Sequence, residues 1–237
     1  MARVFEQPAY VLHSRPYRDT SLIVELLTRD YGRVGAMARG ARRRRRGGQV
    51  LQPFRVLAVG WSGRGEMVTL GATEELTPVP MLQGLSLACG FYVNELVMRL
   101  VERGEPIPEL FHSYSEAVHG LLKGEVPAPL LRLFEKRLLD YSGYGLALDR
   151  EAGSGQPVRE DGLYRYELES GAVPVTDAQR GIQGRTLLAL AEERIPDKRV
   201  LQEARWLLAP VLEAHLGPRP LKSRELLAPY LGGDRAG

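Results

Sequence analysis

The sequence predicts an α+β protein: a small N-terminal β-barrel of the OB type, followed by an α-helical domain that a small irregular insertion interrupts. Three observations predict it. Apolar residues recur with a period of two as far as Glu75, the period becomes 3.6 after Pro80, and a Gly-rich polar stretch breaks the helical pattern at 145–181. With 237 residues the chain has room for two modest domains, each with its own core, read here as 1–80 and 81–237.

Five strands are expected in the first part, at Ala9 to Arg15, Ser21 to Thr28, Arg33 to Ala38, Val50 to Trp61 and Glu66 to Glu75. Gly32 and the run Ser62-Gly63-Arg64-Gly65 supply tight turns between them. That size suits an OB-like barrel, and a small SH3-like barrel would have the same pattern. Leu85, Ala88, Cys89, Tyr92, Val93, Leu96, Val97 and Leu100 then fall at helical spacing, predicting a helix over 84–103 that Gly104 and Pro106 stop. Further helices are expected from Pro108 to Leu122 and from Ala128 to Ser142. The insertion carries Gly153-Ser154-Gly155 and a hairpin around Ser170-Gly171, and helices resume at 183–194, at 198–216 and from about Ser223.

The single cysteine, Cys89, lies in an apolar periodic run and cannot form an internal disulfide, so a reducing cytoplasm is expected. The opening MARVFEQPAY carries charge and proline where an export signal needs an apolar stretch, and no run approaches the length of a membrane span. Charge is uneven. Residues 1–80 hold 13 Arg against 7 Asp and Glu, while the remainder is mildly acidic, which points to a polyanion partner for the first part.

The sharpest feature is Arg42-Arg43-Arg44-Arg45-Arg46, bounded by Gly47 and Gly48. Consecutive like charges repel, so the run must be solvated or matched by an anion. Extended, it spans roughly 17 Å, against a phosphate about every 3.4 Å along one DNA strand. The functional reading is a phosphate-binding loop extended by Arg18, Arg33 and Arg39, with Tyr17 and Tyr31 available for base stacking; the alternative is a solvated tip. Phe54 reads as core.

An enzyme is not expected. His13, His112, His119 and His215 are scattered, Cys89 reads as buried, and neither a P-loop nor a dinucleotide fingerprint occurs, so no cofactor is indicated. An RNA-binding OB protein of translation or ribosome assembly would carry the same arginines, and a hydrolase would need a metal or nucleophile that the pattern does not offer.

Several blocks in order resemble the RecO family: Tyr10-Val11-Leu12, Tyr17-Arg18-Asp19-Thr20-Ser21, Leu27 to Arg33, Ala38 to Arg42, Leu51-Gln52-Pro53-Phe54, Tyr92 to Leu96, and Phe134-Glu135 through Gly143-Tyr144. The resemblance implies a cytoplasmic, nucleoid-associated recombination mediator of DNA repair. Such a protein binds single- and double-stranded DNA, anneals strands and helps load recombinase. It also implies two protein partners, RecR and the C-terminal tail of single-strand DNA-binding protein, for which Arg99, Arg103, Arg132 and Arg137 are the candidate contacts. Many family members carry a four-cysteine zinc ribbon in the insertion; here Glu151, Ser154, Thr176 and Gln179 stand at those positions, so no zinc is expected, and packing by Leu163, Tyr164, Tyr166 and Leu168 is expected instead.

Overall fold

The computed structural model describes residues 3–43, 51–176 and 181–231. Contacts gather the chain into two compact units, one of Met1–Glu125 with Leu221–Gly237 and one of Val126–Pro220. This grouping differs from a division at residue 80, because the helices that follow the barrel pack directly on its outer surface.

In the first unit β1 (Arg3–Tyr17), β2 (Ser21–Thr28), β3 (Gly32–Ala38), β4 (Val56–Ser62) and β5 (Met67–Glu75) close a barrel in the order β1-β2-β3-β5-β4. The β3–β5 pair is parallel and the other pairs are antiparallel, which makes the barrel OB-like, as the alternating pattern predicted. Its interior is filled by alternate residues such as Val11, Val24, Leu26, Ala36, Leu57 and Val59. β1 is longer than its alternation suggests. Irregularities between Val4 and Gln7 and between Val11 and His13 interrupt the period while the strand pairs with both β2 and β4. β4 starts six residues later than expected: Pro53 has no amide proton to give, and Phe54 adopts a left-handed φ of 68°. The Phe54 ring is buried as expected, edge-on to Phe91 at 5.4 Å between centroids, where Gly90 leaves it room.

The outward residues of β1 meet α1 (Gly84–Leu100) and α2 (Pro108–Lys123). Asn94 donates to the Leu12 carbonyl at 2.8 Å and accepts from the Tyr114 hydroxyl at 2.6 Å, while the Tyr10 and Ser115 hydroxyls bond at 2.9 Å. These bonds satisfy polar groups inside an otherwise apolar interface. α1 ends at Leu100, short of residue 103, because Val101 turns extended. The segment beyond it lies along β3, where the Gly104 N–H donates to the Arg33 carbonyl at 2.9 Å. Gly32, at φ 63°, permits this approach: any side chain there would strike the Glu105 carbonyl.

The second unit holds α3 (Pro127–Tyr141), a three-stranded sheet of β6 (Leu163–Glu167), β7 (Gly171–Pro174) and β8 (Ile182–Gln183) in the order β7-β6-β8, then α4 (Gly184–Ala191) and α5 (Lys198–Leu216). The insertion is therefore a small sheet: β6 and β7 form the hairpin predicted around Ser170-Gly171, and β8 adds a third strand to the otherwise irregular stretch. Tyr164, Ala172, Leu187, Leu190 and Leu207 share its core. Leu168 does not join them; β6 ends at Glu167 and leaves it 54% exposed. Asp197 caps α5 by accepting from the Val200 N–H at 2.9 Å, and that bond holds its carboxyl below the usual range.

The last element, α6 (Ser223–Leu231), returns to the first unit. Glu95 on α1 accepts from the Lys222 and Ser223 N–H groups at 3.0 and 2.8 Å and from the Ser223 hydroxyl at 2.7 Å.

Candidate nucleic-acid interface

One end of the barrel gathers four of the predicted cations. The β1–β2 turn carries Arg18, Asp19 and Thr20, and the turn after β3 carries Arg39 to Arg43. Arg42 joins the two. Its N–H donates to the Thr20 carbonyl at 2.9 Å, and its guanidinium donates to the Arg18 and Asp19 carbonyls at 3.2 and 3.3 Å. Gly40, at φ 67°, allows the reversal that brings the second turn back. Arg18, Arg39, Arg42 and Arg43 are all exposed, and Asp19 is the only acid in either turn. The Arg18 guanidinium carbon sits 5.3 Å from the centre of the half-buried Tyr17 ring, a cation–π contact that pairs a flat ring with a charge. Arg44, Arg45 and Arg46 lie outside the described residues.

Sequence reasoning missed Arg15. It is exposed, two residues before Tyr17 and on the same side of β1, opposite Ile23 of β2. Strand alternation alone carried that signal.

Two predicted members stand apart. Tyr31 lies in the β2–β3 turn, at the other end of β2, where its half-exposed ring meets Trp61 edge-on at 5.1 Å. Arg33 is a correction: it is only 8% exposed and spends its charge inside the protein. It pairs with Glu25 at 3.4 Å and donates to the Met98 carbonyl at 2.8 Å and to the Val101 carbonyl at the end of α1. Glu25, itself buried, also takes Arg103. Burial pulls the Arg33 pKa down, and the Glu25 charge opposes that fall. Arg33 is thus a structural cation, unavailable to a phosphate.

This geometry, an OB-like barrel with arginines gathered by its turns, coincides with two family matches. The model described as Recombination protein O N terminal matches residues 1–78, and the one described as Recombination protein O C terminal matches 81–225. The chain belongs to the RecO family. It is 46% identical to the DNA repair protein RecO of Nitrosococcus oceani over 229 residues, 95% of this chain and 93% of that one. Against the Methylococcus capsulatus protein of the same name it is 46% identical over 226 residues, covering 95% and 93%. Against that of Coxiella burnetii it is 42% identical over 229 residues, covering 95% and 98%.

Within this RecO chain the four candidate partner arginines fall two in each unit. Arg99 and Arg103 belong to the first unit, Arg132 and Arg137 to the second. Arg103 is held by Glu25, Arg132 by the fully buried Glu135, and Arg137 by Glu193 at 2.6 Å, which keeps the Glu193 carboxyl below its usual range. At the expected zinc positions the Ser154 hydroxyl donates to one Glu151 carboxylate oxygen at 2.9 Å and the Tyr164 hydroxyl to the other at 3.0 Å. Thr176 is exposed and Gln179 lies outside the described residues. A carboxylate with both oxygens engaged and no thiolate beside it does not suit a tetrahedral zinc site. Among the described residues no three His, Cys, Asp or Glu side chains gather to hold a metal, and no helix is long and apolar enough to cross a membrane.

Proposed function

We propose that this chain is a DNA-binding recombination mediator of DNA repair that works by binding and not by bond chemistry. The observation that carries the reading is the Arg42 clamp, which sets Arg18, Arg39, Arg42 and Arg43 on one end of the barrel and leads into Arg44 to Arg46. Arginines neutralise phosphates of single- or double-stranded DNA, and where two strands meet they lower the repulsion that opposes annealing. The RecO relatives' name supports DNA as the polyanion. A role in loading recombinase, with RecR and the tail of single-strand DNA-binding protein as partners of the helical part, completes the reading, as does a cytoplasmic, nucleoid-associated location.

Contacts to about four phosphates give a slope of log K against log salt of about −3 to −4, and a flat response sinks the reading. Labelled DNA competed with structured RNA separates this from an RNA-binding OB protein. Reversing Arg42, Arg43 and Arg44 to Glu abolishes annealing while binding of the tail peptide persists. If that variant folds and still anneals at the normal rate, the loop is a solvated tip.

A further inference from the structure

The second unit has an open cleft of about 750 Å³ between the insertion sheet and one face of α5. That volume is within the range of ordinary ligand sites. Buried Ile182, Leu207 and Val211 line it, and Trp206 stands in it 57% exposed. Arg165 from β6 and Arg199, seven residues before Trp206 on the same α5 face, bring two guanidinium groups to it. We propose that this cleft is a second single-stranded nucleic-acid contact, in which a base stacks on the Trp206 indole and the flanking phosphates meet Arg165 and Arg199. The site rests on the nucleic-acid reading of the barrel and adds a contact on the other unit.

The side chains favour that occupant. Arg199 bonds through Nε to Glu203 at 2.9 Å, and Glu203 is a buried carboxylate that also takes the Gln183 N–H at 3.0 Å. The guanidinium is thereby fixed in orientation, and this pairing leaves its terminal amino groups unused. Arg165 pairs with Glu167 at 2.8 Å, but both side chains are well exposed, so the pair contributes little and yields readily to a phosphate. An exposed indole in one cleft with two such cations matches the aromatic platform of sequence-tolerant strand binders. With one contact on each unit, a single chain has separate places for two strands.

Tryptophan emission tests it in the full chain. The protein has two tryptophans; Trp61 is buried in the barrel, so Trp206→Phe defines the exposed share of the signal. A short thymidine oligonucleotide quenches the Trp206 share with the same half-saturation as its binding by anisotropy, and continues to do so when Arg42→Glu and Arg43→Glu weaken the barrel end. In that background Trp206→Ala lowers affinity at least about fivefold, and Trp206→Phe retains most of it. If the oligonucleotide binds with Trp206 emission unchanged, the cleft proposal is overturned and the barrel reading stands. If it does not bind at all, the barrel reading fails as well. Quenching by an acidic, aromatic-ended peptide and not by the oligonucleotide assigns the cleft to a peptide and also overturns the proposal.

Discussion

The two ends of β3 carry arginines of opposite fate. At its start, Arg33 is enclosed by Glu25 and the carbonyls that end α1; just past its finish, Arg39, Arg42 and Arg43 face solvent around a turn. Both ends are basic in sequence, yet only one offers charge to a ligand. The difference lies in whether a buried carboxylate waits within reach. An arginine with such a partner, and helix carbonyls beside it, is a strut whose removal leaves an uncompensated charge. An arginine whose nearest acceptors are turn carbonyls keeps its net charge for something outside the chain.

Replacing each end in turn separates strut from contact. The largest effect is expected for Arg33→Met, which strands Glu25 and costs about 3 kcal/mol, with Arg103 limiting the loss. Thermal melting then drops while DNA affinity of the folded protein stays within about twofold; normal melting with lost affinity would erase the contrast. The next effect runs the other way. Arg42→Glu with Arg43→Glu changes stability by no more than about 0.5 kcal/mol but lowers DNA affinity about tenfold or more and makes the salt slope shallower by about 2. A smaller effect concerns a half-buried carboxylate, Glu95. Burial alone would raise its pKa, but the bonds from Ser223 and Lys222 outweigh burial and leave it lowered. Its contribution is therefore present above the ordinary carboxylate range and lost as pH falls through the lowered value. Amide exchange in α6 accelerates on that descent, and Glu95→Gln removes the pH step; equal steps in both proteins count against the tie. The smallest effect expected is none: a chelator leaves melting unchanged and elemental analysis finds no zinc, whereas one zinc per chain would mean that Glu151 and Ser154 have been misaligned with the family's ligands.

The barrel was legible because its strands alternate for most of their length, and the run from Arg42 stood out in sequence because consecutive like charges repel. Arg33 was misread for a long-range reason. In sequence it reads as an extension of the basic loop, but the cover over that side of β3 comes from Met98, Val101 and Arg103, some seventy residues away. β4 was started too early because Leu51 to Phe54 is apolar enough to pass for strand, although Pro53 and the φ of Phe54 forbid it. Of the insertion sheet only the hairpin around Ser170-Gly171 was legible, from its turn residues; the strands, of two to five residues, are shorter than any window in which a period shows. Trp206 was not singled out in the sequence, and only tertiary packing reveals that α5 leaves it exposed.

The return of α6 to α1 bears on the order in which the chain matures. Glu95 and its donors at Lys222 and Ser223 are separated by 127 and 128 positions, so the closing contacts have high contact order and carry a large loop-closure entropy. During synthesis the barrel strands, α1 and α2 emerge first, yet their unit lacks its last helix until all of Val126–Pro220 has been made. The second unit is one continuous stretch and can complete itself as it leaves the ribosome. The first to be translated is thus the last to be finished, and a chain arrested before Leu221 holds α1 with Glu95 unbonded and the apolar seats of Leu221 and Leu227 empty. Such a nascent chain leaves that face of α1 uncovered and open to chaperones and proteases.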